Sequence, residues 1–275
     1  MIDLLFWMPV MVAGLLAGAS TGLLGTYIVG MRIPFLGICV AHAALAGAVF
    51  GALCGCTGPG LLVPALGAAS LAAILVGVVD PQSMRADINI VLGILFSLTM
   101  GLAFLGLGLF SLFGVSDNEV RNLLWGSLTF CRWRDVGIMA FTAGAELLFI
   151  AAFYKEMRAI LFSRALAAAA GVHVTFVWTL FLLLASLILT VNFQTVGGLM
   201  IYSLLTNPAV AAARLTRGYG RTLLVSTLLG ATSGLGGFLI SAVTDLPSGA
   251  MIVILSSLLV GLAEIWARLA QRRPV

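Results

Sequence analysis

Charge is what this chain has least of. It carries 14 Lys+Arg and 10 Asp+Glu in 275 residues, or 9%, where a soluble domain of this length would have roughly a quarter. With 61% hydrophobic residues and a mean hydropathy of +1.17, a water-facing globular protein is excluded. Lysine is scarcer still. Lys155 is the only one, and it does not end a glycine-rich G-x-x-x-x-G-K-[ST] loop, so any ATP this protein uses must be held by another subunit. His42 and His173 are the only histidines, and neither sits in H-E-x-x-H, which excludes a zinc metalloprotease of that type. The four cysteines give no framework either. Cys54 and Cys56 are too close for an unstrained bridge and have no further ligands nearby, and with Cys131 they read as structural or incidental. No nucleophile–base pair is recognisable, which speaks against a membrane-embedded enzyme.

The charges that exist are clumped. Between Asp3 and Arg32, Arg32 and Asp80, Asp87 and Asp117, Arg164 and Arg214, and Arg221 and Asp245 there is none, and each gap holds at least one membrane helix of ~20 residues. An all-α, polytopic transmembrane bundle follows. Cutting at charges and Gly/Pro punctuation predicts nine spans, roughly 5–30, 35–55, 60–79, 88–113, 136–154, 173–191, 195–213, 222–243 and 249–269. The seventh is separated from the sixth only at Asn192-Phe193-Gln194, two amides that either satisfy broken backbone at membrane depth or line the outer mouth of a pathway.

Orientation follows from the loops. One set holds Arg32, Arg85, Lys155, Arg158, Arg164, Arg214, Arg217, Arg221, Arg268, Arg272 and Arg273; the other holds only Arg121, Arg132 and Arg134, offset by Asp117, Glu119 and Asp135. The positive-inside rule then places the C-terminus in the cytoplasm and the N-terminus outside. The first span has no basic n-region or A-x-A-like cleavage site and reads as a retained helix. The 32 glycines and the alanine runs fit ordinary close packing of helices in lipid.

Three places invite chemistry. Ser163 can cap a helix start, the alanines after it favour helix and Gly171 suits its stop, so a short cytoplasmic helix of about two turns is expected inside the segment 155–172. Counting from Arg32 puts His42 about ten residues inside the second span, near the middle of the bilayer at ~1.5 Å per residue, where an ionisable group usually faces a bundle interior or a water-filled path, and neutral imidazole is the commonest metal ligand. Cys39, three residues earlier, shares nearly the same face and would complete a soft N/S pair. Glu146, deep in the fifth span, is the other pathway candidate. Each has a plainer alternative: a hydrogen-bonded core histidine, a small buried hydrophobe, a helix–helix hydrogen bond. Pro208 after Asn207 reads as a kink near a helix end, and His173 has no companion ligand.

Two segments resemble a known family, the membrane permease subunits of ABC-type importers for zinc, manganese and iron. The first runs from Gly25-Thr26-Tyr27-Ile28-Val29 through Met31-Arg32-Ile33-Pro34-Phe35-Leu36-Gly37 to Ala41-His42-Ala43-Ala44-Leu45-Ala46-Gly47. The second runs from Phe162-Ser163-Arg164-Ala165-Leu166-Ala167 through Gly171-Val172 and Val196-Gly197-Gly198-Leu199-Met200 to Leu204-Leu205-Thr206-Asn207-Pro208-Ala209. Leu124-Trp125-Gly126-Ser127-Leu128 with Asp135 is a weaker third match. The resemblance implies a single permease domain over 1–275, similar to the vitamin B12-importer-type (type II) fold. It further implies a second copy of the permease, a separate ABC ATPase that binds ATP and docks at Ser163, Arg164, Ala167 and Gly171, and an extracytoplasmic metal-binding protein. The implied setting is a bacterial or archaeal inner membrane, with divalent metal as transported substrate, no prosthetic group and no nucleic acid. Where the family keeps an aspartate four residues before the histidine this chain has Ile38, and Ala41 replaces the serine, which opens a metal chelate or another small solute as alternative substrate. A rival of another class is an ion-coupled secondary carrier with Glu146 as coupling residue; it predicts matched halves, and no convincing internal repeat is found.

Overall fold

A computed structural model of the chain describes residues 4–78, 88–115, 128 and 131–271. Asp80, Arg85, Asp87, Asp117, Glu119, Arg121, Leu124-Trp125-Gly126-Ser127, Arg272 and Arg273 lie outside the described residues. Within them the structure is all-α. The helices are α1 Leu4–Gly30, α2 Leu36–Leu53, α3 Leu62–Val78, α4 Ile88–Phe113, α5 Trp133–Ala152, α6 Tyr154–Phe162, α7 Arg164–Ala169, α8 Val174–Val196, α9 Gly198–Leu215, α10 Tyr219–Thr244 and α11 Ser248–Gln271. Eight are long and apolar enough to cross a membrane, all but α6, α7 and α9. The expected seventh span corresponds to α9, an 18-residue helix whose Asn207, Pro208 and Arg214 dilute its apolar character.

The boundary before α9 differs from the expected one. Asn192 and Gln194 interrupt nothing, because α8 continues regularly through both to Val196. The break is one turn later at Gly197, whose φ of 99° lies in the region that favours glycine. Amide side chains are tolerated inside a helix, whereas a left-handed backbone ends one.

The chain forms two compact units, Met1–Pro34 with Ser127–Ala143 and Thr195–Val275, and Phe35–Gly126 with Gly144–Gln194. In the first, α1 and α10 are antiparallel and pressed together by small residues: Gly14, Gly18 and Gly22 face Gly234, Gly230 and Ser226. A Cβ placed on Gly18 or Gly230 would overlap the other's carbonyl group, and the Ser226 hydroxyl donates to the Gly22 carbonyl. In lipid, where apolar side chains gain nothing by leaving the solvent, this approach of backbones supplies the van der Waals contact that holds helices together. α9 packs on α1, α10 and α11 and runs parallel to α11, with Asn207 Nδ2 donating to Ser256 Oγ (3.0 Å) and Ser257 Oγ (3.1 Å).

In the second unit α2 lies between α3 and α4. Gly47 and Gly51 admit Pro64 of the antiparallel α3, and Gly106 of the parallel α4 admits Val49. Gly77 near the end of α3 meets Thr179 near the start of α8, which places the short helices α6 and α7 at the end where α2 begins and α3 finishes.

Each unit, taken by itself, has one basic end. In the first, the Tyr27 and Tyr219 hydroxyls lie 2.7 Å apart and tie the end of α1 to the start of α10. Glu264 of α11 pairs with Arg214 of α9 (3.0 Å) and Arg268 (2.9 Å). Arg32, Arg214, Arg217, Arg221 and Arg268 thus gather at one end, while Asp245 and the start of α11 lie at the other. Arg132, Arg134 and Asp135 fall on the side of α1's first half, where Leu128 reaches Gly14. In the second unit Lys155, Arg158 and Arg164 mark the basic end.

Candidate functional site

The short helix expected between Ser163 and Gly171 is present as α7, and its two ends are built as those residue types require. Ser163, in extended backbone, accepts a hydrogen bond from the Leu166 amide (3.4 Å). At the far end the Gly171 amide donates to Ala168 O and the Val172 amide to Ala167 O, both at 3.0 Å, the paired bonds of a Schellman turn, with Gly171 at φ 84°. Ala167 is buried under the segment, while Phe162 and Leu166 are 83% and 60% exposed. Arg164 is fastened inward: its guanidinium stands 4.3 Å from the centroid of the Trp178 ring, near the optimum for a cation–π contact.

From Trp178 a series of rings leads on. Trp178 stacks on Phe181 (5.7 Å), Phe181 meets Phe149 (6.2 Å) and Phe149 meets Phe153 (4.9 Å), joining the second turn of α8 to the end of α5. Nothing in the periodicity of the sequence distinguishes these rings from core or lipid-facing aromatics, because helix partners and not helix faces bring them together.

His42 is the seventh residue of α2, about 9 Å from its start, closer to the basic end than counting from Arg32 suggests. Its Nδ1 lies 2.9 Å from the Ile38 carbonyl. A carbonyl only accepts, so Nδ1 donates, and in the neutral ring the lone pair is then on Nε2, the tautomer a metal ligand needs. The imidazole meets the Phe96 ring at 4.9 Å and 80°, an edge contact that fixes its plane. Phe96, itself against Phe35 (5.4 Å), is a partner that sequence reasoning did not reach, since it sits on α4, some fifty residues away. Ile38 contributes only its backbone carbonyl, a group that any residue at this position would supply. Cys39 is fully buried and unpaired with any other cysteine.

Glu146 is 1% exposed, and neither carboxylate oxygen has a hydrogen-bond partner among the described residues. The indole Nε1 of Trp178 and the hydroxyl of Thr179 in the same unit are likewise buried without partners. Among the described residues no three His, Cys, Asp or Glu side chains converge on a point that could hold a metal ion, so His42, Cys39 and Glu146 do not form a closed cage. Asn192 and Gln194 occupy the last turn of α8, the former buried and the latter half-buried. In the first turn of α5 Asp135 accepts from the Arg132 amide (2.9 Å), and at Cys131, just before the helix and outside the spans, burial together with the nearby Asp135 charge pushes the thiol up to about 11.

The chain thus combines eight helices able to cross a membrane, a short capped helix between two of them, and a histidine ring fixed by a backbone carbonyl and a phenylalanine. The model of the ABC 3 transport family matches residues 3–267. The chain belongs to that family. It is therefore a multi-pass membrane component of a transport system, not an enzyme. It is 26% identical over 263 residues to the manganese transport system membrane protein MntC of Listeria innocua, covering 95% of this chain and 91% of that one. It is 27% identical over 261 residues to the chelated iron transport system membrane protein YfeD of Yersinia pestis, covering 95% and 85%. The structure of PsaBC from Streptococcus pneumoniae in complex with Fab shares the fold of this family member, with a TM-score of 0.80 at 23% identity over 94% of this chain and 90% of that chain.

Proposed function

We propose that the chain forms the membrane pathway of an ATP-driven importer for a divalent transition metal, zinc, manganese or iron. The observation that carries this reading is the family match over nearly the whole chain, and the relatives named for manganese and chelated iron agree with it. His42 receives the metal through Nε2, with Cys39 as a soft neighbour and Glu146 as a second, separate contact deeper in the pathway. Asn192 and Gln194 line its outer part. No prosthetic group takes part, and the metal is cargo.

The ATP is held by a separate ABC ATPase that docks on the segment 155–172 through Ser163, Arg164, Ala167 and Gly171. A second copy of the permease completes the pathway, and an extracytoplasmic binding protein delivers the substrate. The loops that hold Arg32, Lys155, Arg158, Arg164, Arg214, Arg217 and Arg221 face the cytoplasm of a bacterial or archaeal inner membrane, with the C-terminus inside. The two units act as one permease domain, because the chain passes between them four times and neither is a continuous segment that could be excised.

The test is ATP-dependent uptake of radioactive zinc, manganese and iron by the assembled complex in proteoliposomes. Uptake of at least one metal is expected with ATP only, and His42→Ala is expected to lower it at least tenfold, the scale on which loss of a ligand or its support weakens metal sites. Uptake by the lone chain without ATP would overturn the reading in favour of a secondary carrier. A chelate in place of the bare ion is the variant that Ile38 favours, since one neutral imidazole is a weak site for a hard cation that prefers oxygen; uptake only when metal is supplied with a chelator would identify it.

A further inference from the structure

At the basic end of the second unit a cavity of about 610 Å³ opens beside α7, lined by Phe153 and Glu156 of the α6 region, Ala170 and Gly171 of the turn, and His173 and Phe176 at the start of α8. Its chemistry differs from its surroundings. Lys155, Arg158 and Arg164 make this segment strongly basic, yet among the described residues the only charged group lining the cavity is the Glu156 carboxylate. Glu156 is half-buried and makes no ion pair or hydrogen bond among the described residues, although the exposed Lys155 and Arg158 are its near neighbours in sequence.

Arg164, the third cation, is turned onto Trp178. The two rings on the wall, Phe153 half-buried and Phe176 63% exposed, present apolar and π surface to whatever enters. The wall is held in place by the Gly171 turn and by the anchoring of Arg164 on α8.

A carboxylate with aromatic walls in a space this size is matched by a long cationic side chain. The stem packs on the rings, the head reaches the carboxylate, and cation–π attraction adds to the ion pair. A metal ion fits poorly, because Glu156 and His173 are only two potential ligands and the remaining lining is apolar or aromatic. We infer that this cavity seats an arginine or lysine side chain projecting from the ATPase subunit, with Glu156 accepting its charge. The inference rests on the proposed docking of an ATPase at 155–172 and adds the chemistry of one contact within it. The exposed Phe162 and Leu166 on the same segment complement the pairing by offering apolar knobs, so the partner surface combines an apolar groove with a basic projection. The acidic cavity makes the docking specific, since a purely basic segment would attract any anionic surface.

The experiment uses the permease in nanodiscs with its cognate ATPase and reads the dissociation constant of the complex together with stimulation of ATP hydrolysis. Glu156→Gln, which keeps the side chain's shape, is expected to weaken association about tenfold or more, as loss of one partner from a desolvated charge pair does. Glu264→Gln, at a position in the other unit, is expected to leave association unchanged. Glu156→Lys is expected to abolish docking, and an acidic replacement of one basic ATPase residue to restore it; size-exclusion profiles of each variant confirm that it is folded.

Unchanged affinity in Glu156→Gln while Leu166→Asp still uncouples the complex would overturn this inference and leave the docking segment standing. If the wild-type permease binds no ATPase at all, the underlying functional reading fails. If Glu156→Gln alters only the co-purified phosphatidylethanolamine measured by mass spectrometry, the cavity holds a lipid ammonium headgroup and the inference is overturned.

Discussion

Residue-scale chemistry in this protein is decided by a few side chains whose backbone or electrostatic setting permits one state. Gly171 is the clearest. At φ 84° an L-residue pays roughly 1–2 kcal/mol for the left-handed region, while open space around the missing Cβ means that no clash adds to it. Gly171→Ala is therefore expected to destabilise the turn by about that amount and to reduce coupled transport, and Gly171→Asn, which tolerates this conformation better, to cost less. Thermal melts of the purified protein and ATP-driven uptake check both; equal effects of Ala and Asn would show that backbone strain is not the cause.

Cys131 makes a second prediction. The thiolate is the reactive form, and with the thiol held protonated until about pH 11 only about one molecule in a thousand is ionised at pH 8, against about a quarter for an ordinary thiol of pKa ~8.5. Labelling by N-ethylmaleimide at pH 8 is expected to be roughly 250-fold slower than for an ordinary exposed thiol and to accelerate as pH rises toward 11. His42 belongs to the same scale: its residue type was legible as a candidate, but the tautomer was not, because Ile38 helps through a carbonyl that every residue has.

Elements are held by contacts that a residue list foreshadows only in kind. The abundance of glycine indicated close helix packing, and α1 with α10 shows where it is used, since the carbonyls of Gly18 and Gly230 occupy the space a methyl group would need. Gly18→Ala is expected to force these helices apart at a cost of about 1–3 kcal/mol, lowering the melting temperature in detergent by several degrees. Gly67→Ala, on α3 with nothing within 4 Å of its missing Cβ, is the matched control and is expected to be neutral or slightly stabilising.

The cap and stop of α7 were readable because Ser163 and Gly171 act on their own immediate backbone. The end of α8 was misplaced by one turn because the amides of Asn192 and Gln194 look like breakers in an apolar run, whereas Gly197 carries the conformation that ends the helix.

For the whole molecule, the distribution of charge yields a prediction about sidedness. Arg217 lies at the basic end of the first unit and the exposed Cys54 at the end of the second unit opposite Lys155 and Arg158. In spheroplasts, a membrane-impermeant maleimide is expected to label native Cys54, while in a Cys54→Ser background Arg217→Cys reacts only after lysis. The opposite pattern would invert the orientation.

Scarce, clumped charge was enough to establish a multi-span helical membrane protein, because the cost of burying charge in lipid acts locally on each segment and leaves its record in linear order. The capping residues of α7 and the family motifs were legible for the same reason. The pairing of His42 with Phe96, the aromatic contacts between Arg164 and Phe153, and the lack of a cation beside Glu146 and Glu156 among the described residues depend on which helices pack together. That choice rests on backbone approach between distant glycines, and it has no local signature in a chain whose helices are apolar on nearly every face.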